Sequence, residues 1–325
     1  MKRFVIIFIF LIRLCEVIGQ NDSLPYTLYR DNLILHTSIG INDAPFRLND
    51  DFGQVNNLRY RANLNAIMGI GINYKWFALN FNFKLPGYLR SRSQYGETNY
   101  FDLGFSFEVK KWFFAMDIHG YNGFGLINAD RISKNLEQTE ENVLINDQLR
   151  SFSFSMNGYR FKNEEFKIKP AVGIAGRYHQ PASTFYMKYT LNIHGIGSTD
   201  SIMPHSFFEI QRSLYRSHNI SAFDLGVVPG WAYSNNNEGW QFGFLAGLGA
   251  VIQAKVYNYD NTSRGFLGLA PRLDLKFQFG YNVDNWFLML TSSFDNKSIR
   301  FNDFRYSQNY YYLRLSYGYR FPEKK

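Results

Sequence analysis

His36 and Ser38 stand two apart in the run His36-Thr37-Ser38. On a strand, residues two apart share a face. There an imidazole can take the hydroxyl proton and leave a serine able to attack an ester. His119 has Asp117, not a serine, at that spacing, and His218 and Ser221 are three apart. His179, His194, His205 and His218 fall in or beside one polar stretch without ligand-like spacing, so they read as loop residues and no metal site is expected. The glycine pairs Gly69/Gly71 and Gly247/Gly249 precede no helix and read as bends, so no cofactor is expected. The larger chemical resource is a set of charges on the polar side of alternating segments: Lys84, Asp102, Glu108, Asp117, His119, Arg150, Lys167, Lys169, Asp224, Arg272, Asp274, Lys276, Arg314 and Arg320. Lining a water-filled lumen, they would form a selective constriction. Paired across a narrow lumen, they would instead fill it and lock strand register.

Both outcomes depend on the elements that carry the charges. Residues 310–321 alternate strictly, with Tyr311, Leu313, Leu315, Tyr317, Tyr319 and Phe321 on one face and Tyr312, Arg314, Ser316, Gly318 and Arg320 on the other. Period two means a strand. Aromatics at both ends of its apolar face and leucines between them suit a bilayer's interfaces and core. The scheme recurs over residues 33–41, 62–73, 76–85, 99–109, 112–120, 148–161, 166–178, 220–231, 239–254, 266–281 and 285–294, which gives twelve strands. Short turns at Tyr74-Lys75, Lys110-Lys111 and 162–165 alternate with connections of ten residues or more, as in a barrel with both ends on the periplasmic side. This count makes residues 180–219 one long outer loop. If residues 184–193 and 206–215 cross instead of forming a hairpin above the membrane, the barrel has fourteen strands. Pro170, Pro229 and Pro271 lie inside alternating runs, where bulges or strand ends are expected because proline cannot donate to a ladder.

Aromatic residues make up 18% of the 325 residues, far more than a soluble core needs. The mean hydropathy of −0.28 excludes a bundle of membrane helices but suits a barrel with a polar interior. A secreted β-sandwich would also alternate, but it needs a second sheet over each apolar face. Lys2 and Arg3 before an apolar run read as a signal peptide over residues 1–19, cut before Gln20 and followed by an outer-membrane β-barrel over residues 20–325. Loss of Lys2, Arg3, Arg13 and Glu16 lowers the formal charge from +8 to +6, and Cys15, the one cysteine, leaves with them. No dense basic cluster points to nucleic acid.

The end Tyr317-Gly318-Tyr319-Arg320-Phe321 resembles the C-terminal insertion signal of bacterial outer-membrane barrels, with Tyr317, Gly318, Tyr319 and Phe321 as its residues. With the leader followed by Gln20 and the Tyr/Phe/Asn-rich strands, it makes the chain similar to an uncharacterised outer-membrane β-barrel family of Bacteroidota-type bacteria, domain of unknown function 4421. That resemblance implies location and architecture but no activity. The expected fold is therefore an all-β, transmembrane, antiparallel up-and-down barrel. Its expected partners are outer-membrane lipids, the barrel-assembly machinery and small or anionic solutes, with no nucleic acid. The leading function is a passive pore or small-solute binding barrel with a charged lumen. A structural or accessory surface barrel comes second and an outer-membrane lipid hydrolase third. Outer-membrane phospholipases and lipid deacylases carry a His and a Ser two apart but turned to the lipid. Here Leu33, Leu35, Ile39 and Ile41 take that face, so His36 and Ser38 point inward.

Overall fold

The computed structural model describes residues 24–50, 57–87, 91–128, 144–203, 216–302 and 304–322. The residues read above as a leader, residues 129–143 and the expected segment 206–215 lie outside them. Alternation produces strands almost throughout: β1 (Tyr26–Leu28), β2 (Leu33–Asp43), β3 (Phe46–Asp50), β4 (Leu58–Arg61), β5 (Ile67–Tyr74), β6 (Phe77–Lys84), β7 (Asn99–Val109), β8 (Trp112–Leu126), β9 (Leu144–Phe161), β10 (Gly176–Tyr178), β11 (Ala182–Gly197), β12 (Ser217–Asn237), β13 (Trp240–Tyr259), β14 (Thr262–Asn282), β15 (Trp286–Arg300) and β16 (Phe304–Phe321). Two short helices, α1 (Arg92–Tyr95) and α2 (Ile168–Val172), interrupt the series. Among the described residues no helix is long and apolar enough to cross a membrane.

Twelve strands close a ring in the order β2, β5, β6, β7, β8, β9, β11, β12, β13, β14, β15, β16 and back to β2. Every pairing in the ring is antiparallel, and closure pairs Leu33–Asp43 with Tyr311–Phe321, so no edge is left there. The outward residues form an apolar belt, with Ile39 52%, Leu225 56% and Ile252 56% exposed. At the end carrying the short turns, the turn end, Trp76, Trp112, Trp231, Trp240 and Trp286 stand among Phe107, Tyr189, Phe244, Tyr281 and Tyr317. This is the aromatic girdle of a membrane interface. The chain is a transmembrane β-barrel. The β12–β13 turn shows how tightly that end is drawn: Glu238 and Gly239 take φ of 50° and 91°, the pair of positive values that a two-residue hairpin with the strands' own twist requires.

Two segments exchange the roles expected from the sequence. Residues 166–178 are not a membrane strand. Pro170 removes a backbone donor and Gly173, at φ 77°, ends α2 in the left-handed region, so the stretch folds as α2 and β10. The seventh membrane strand is β11, inside the stretch read as an outer loop. Phe185, Met187, Tyr189, Leu191 and Ile193 face lipid, while Thr184, Tyr186, Lys188, Thr190, Asn192 and His194 are buried inside. One exchange cancels the other, and the count stays at twelve. The stretch 42–61 is likewise not a free outer loop, because β3 pairs with β16, and β4 pairs with β3 and with β8. Since β4 meets β8 beyond the ends of β6 and β7, ten strands form the wall at the loop end, open between β14 and β15. Pro271 marks a fork: β14 pairs with β15 only from Asp274 to Asn282, and above it Asn296 bonds Leu273 N at 2.7 Å and Pro271 O at 3.3 Å.

Candidate functional site

The inward faces of the twelve strands meet in a lumen divided into three layers. At the turn end, α2 and β10 fold into the barrel mouth, and β10 pairs with β1, Tyr26 opposite Tyr178 and Leu28 opposite Gly176. Short connections run past this mouth, so the segment reaches side chains of β13, β14 and β16. Gln241 donates to Pro170 O at 2.6 Å and to Ala171 O at 3.1 Å, and Gln278 donates to the same Ala171 carbonyl. Asn282 donates to Gly176 O at 3.1 Å. Arg320 donates to Gly173 O at 2.8 Å, Ile174 O at 3.0 Å and Asn282 Oδ1 at 2.7 Å, with its guanidinium carbon 4.3 Å from the Tyr29 ring centroid. It is fully buried. A helix end leaves carbonyls without partners, and here the barrel wall supplies the donors. Gly176 permits the close fit, since a Cβ there would lie 2.6 Å from Thr27 O. Apolar packing of Tyr26, Phe161, Phe166, Ile168 and Tyr178 completes this seal. Tyr29 caps it, its hydroxyl donating to Asp284 at 2.8 Å, and burial together with that bond pushes its pKa up to about 12.

At the loop end the narrowed ring is packed with apolar side chains. Phe46 stacks on Tyr60 at 4.5 Å and meets Phe124 at 5.1 Å, and Ile202 and Met203 from the β11–β12 connection are buried among Leu48, Leu126, Ile299 and Tyr306. The fork at Pro271 lets the β15–β16 end lean over this cluster, with Phe301 5.1 Å from Tyr257.

Between the seals the lumen is polar. Arg314 donates to Asp102 at 2.6 Å and to Asn42 at 3.0 Å, and the His119 ring nitrogen lies 3.4 Å from Asp102 but is not aligned for a hydrogen bond. Lys188 pairs with Asp274 at 3.0 Å, and the hydroxyls of Tyr186 and Tyr159 add bonds at 3.2 and 3.4 Å. Asp224 is fully buried and accepts from Arg272, from His194 at 2.9 Å and from Gln253 at 2.9 Å. Lys297 pairs with Asp295 at 3.5 Å and donates to Ser155 at 2.8 Å. Buried ions are tolerated when paired and hydrogen-bonded. Two adjoining cavities of about 210 and 170 Å³ remain in this layer and share Asn80, Asn82, Gly104, Asp117, Lys276 and Arg314 as walls.

The residues singled out from the sequence divide among these layers. Asp102, Asp117, His119, Asp224, Arg272, Asp274, Lys276 and Arg314 lie in the middle. Lys84 stands at the loop end of β6 and donates to Thr98 O at 3.1 Å. Glu108, at the turn end, lies 3.4 Å from Arg30 and 3.8 Å from Lys169. Lys167 and Lys169 are not on a barrel strand. They belong to the turn-end segment, where Lys169 donates to Lys75 O at 3.1 Å and burial lowers its pKa against the opposing pull of Glu108. Arg320 belongs to that seal as well. Arg150 is exposed outside, because it shares the parity of Phe152 and Phe154 while Ser151 and Ser153 are buried. His194 is no loop residue but sits in the lumen on β11. Lys188, Asp295, Lys297, Gln241, Gln278 and Asn282 were missed. The first lies on the strand misread as a loop, Asp295 and Lys297 lie past the end of the alternating run read over 285–294, and the amides carry no charge to single them out.

His36 and Ser38 are both buried, and His36 bonds Asn80 at 2.8 Å and approaches Asn73 at 3.5 Å, not Ser38. The ring is thus oriented by two amides, neither of which can stabilise an imidazolium as a carboxylate would. Among the described residues no group of three or more His, Cys, Asp or Glu is placed to hold a metal ion. Tyr317, Tyr319 and Phe321 are exposed on the outer face, and Gly318 makes room inside for Phe287.

The sequence matches the model of domain of unknown function 4421 over residues 20–321. It matches no curated protein. Among solved structures it is similar to the outer membrane protease OmpT from Escherichia coli, at 9% identity, covering 92% of this chain and 99% of that one, with a TM-score of 0.39. The toluene transporter TodX of Pseudomonas putida is similar at 9% identity, covering 90% and 91%, with a TM-score of 0.31.

Proposed function

Because this chain belongs to the domain of unknown function 4421 family, whose name assigns no activity, its role must come from its own geometry, and we propose that it is an outer-membrane barrel that holds a small polar solute between two seals. Passage through it then requires the turn-end segment to move. The observation that carries this reading is the polar cavity layer enclosed by apolar packing on the loop side and by α2 and β10 on the turn side. A passive pore would need a continuous wet path, whereas Gln241, Gln278, Asn282 and Arg320 hold backbone across the mouth. The structural or accessory barrel is favoured by one feature, the pairing of most inward charges, which also serves rigidity.

Solute uptake by proteoliposomes separates the two. The double variant Gln241→Ala/Gln278→Ala removes three neutral bonds to the segment, each contributing about 1 kcal/mol. Combined with Phe46→Ala, which opens the loop-side packing, it should raise uptake of a small neutral solute by about tenfold or more over Phe46→Ala alone, since 1.4 kcal/mol is one decade. A folded variant as impermeant as the native chain would leave the structural reading in its place.

A further inference from the structure

The charges around the 170 Å³ cavity balance. Four acidic side chains, Asp102, Asp117, Asp274 and Asp295, face four basic ones, Lys188, Lys276, Lys297 and Arg314. Three of each are in ion pairs: Asp102 with Arg314 at 2.6 Å, Asp274 with Lys188 at 3.0 Å and Asp295 with Lys297 at 3.5 Å. Asp117 on β8 and Lys276 on β14 are left over. Among the described residues neither has a hydrogen bond or ion pair to another side chain. Lys276 has only the Tyr159 ring, 5.2 Å away. Both also border the 210 Å³ cavity.

The sequence leaves them room. Asp117 pairs in register with Gly104 and Ser155, and Lys276 with Ser293. A Cβ on Gly104 would come 3.5 Å from the Asp117 carboxylate. Short neighbours on both strands open a space with one negative and one positive group on its wall. A charge left unpaired in a low-dielectric interior is expensive. A net-charged solute would add to that cost, because the wall is already neutral. An uncharged solute would leave both groups unpaired.

Resting on the chamber reading above, we propose that this cavity binds a small zwitterion of the amino-acid class, its ammonium on Asp117 and its carboxylate on Lys276. The two cavities together have the volume of roughly a dozen waters at about 30 Å³ each, enough for a small amino acid and its hydration.

Because the chamber lies between seals, the test loads it during folding. The mature chain is refolded from urea into detergent with isotope-labelled L-alanine, glucose or succinate, stripped of free solute by gel filtration and analysed by mass spectrometry. Folding is checked by heat-modifiable gel mobility. The native chain should retain alanine in preference to glucose and succinate. Asp117→Asn and Lys276→Gln, which keep side-chain size, should each reduce retention by about tenfold or more. Equal retention in both folded variants would overturn the assignment of these residues. Retention of glucose or succinate in place of alanine would overturn the ligand class but leave the chamber. Retention of none of the three would overturn both this inference and the chamber reading.

Discussion

Arg320 does two jobs that no other residue of its strand can do. It lies in the ladder that closes the barrel, opposite Ile34, and it donates to the carbonyls of Gly173 and Ile174 just past α2. A planar fork of five donors suits this, and a lysine ammonium does not. Arg320→Lys should keep the barrel closed but loosen the segment. Charge-assisted bonds contribute about 1.5–3 kcal/mol each, so tryptic cleavage at Arg177 should speed up by about tenfold or more. Arg314 is a different case. Its loss would leave Asp102 buried beside only His119 and neutral donors, and breaking a buried pair costs about 3–5 kcal/mol. Arg314→Ala should therefore lower the urea midpoint of gel-monitored unfolding, and Asp102→Leu/Arg314→Met should recover most of it. Unchanged stability in the single variant would show that the pair is solvated. Most of the charges were legible in the sequence, because parity assigns each to a face, but Arg150 was put on the wrong face and Lys167 and Lys169 on a strand that does not form. The partners of the charges were not legible, because Arg314 and Asp102 lie 212 positions apart and meet only through ring closure.

At the scale of the element, the instructive pair is 166–178 and β11. Both alternate, so period alone could not separate them. Pro170 and Gly173 within eight residues marked the first as a turn-rich insert, while five consecutive outward apolar positions marked the second as a membrane strand. Placing residues 184–193 in an outer loop mistook a lumen face for a solvated one. Gly173 is the fixed point of the insert, since its φ of 77° is costly for an L side chain, and an added Cβ would sit 3.0 Å from Met289 Cε and 3.2 Å from Gln241 Nε2. Gly173→Ala should therefore destabilise the segment by about 1–2 kcal/mol. Hydrogen exchange over 168–178 should accelerate about tenfold while the β12–β14 amides stay protected. Equal protection in both proteins would mean that the segment does not depend on that turn.

At the scale of the whole molecule, the barrel is longer than a bilayer requires. A crossing strand needs about 9–11 residues, and β12, β13 and β14 run to 21, 20 and 21. Their excess carries the wall past the membrane, where β3, β4 and the β15–β16 end pack the loop-side cluster. Twelve strands alone would leave a modest lumen, and the inserts at its two ends turn that lumen into a chamber. We expect insertion to depend on the other face of the same closing strand: Phe321→Ala removes an exposed aromatic and should reduce the amount reaching the membrane without altering the lumen charges. The alternation that builds the wall was readable in eleven of the twelve strands, β11 being the one taken for loop. The seals were not, because they are made where alternation stops.

Electrical conductance of the refolded mature chain in a planar bilayer at molar salt tests the closed lumen most directly. A barrel sealed by α2 and β10 below and by the Phe46–Tyr60 cluster above should insert without stable open steps, and Gln241→Ala/Gln278→Ala combined with Phe46→Ala should produce them. Long-lived open steps from the native chain, with ions passing freely from the first insertion, would contradict the account.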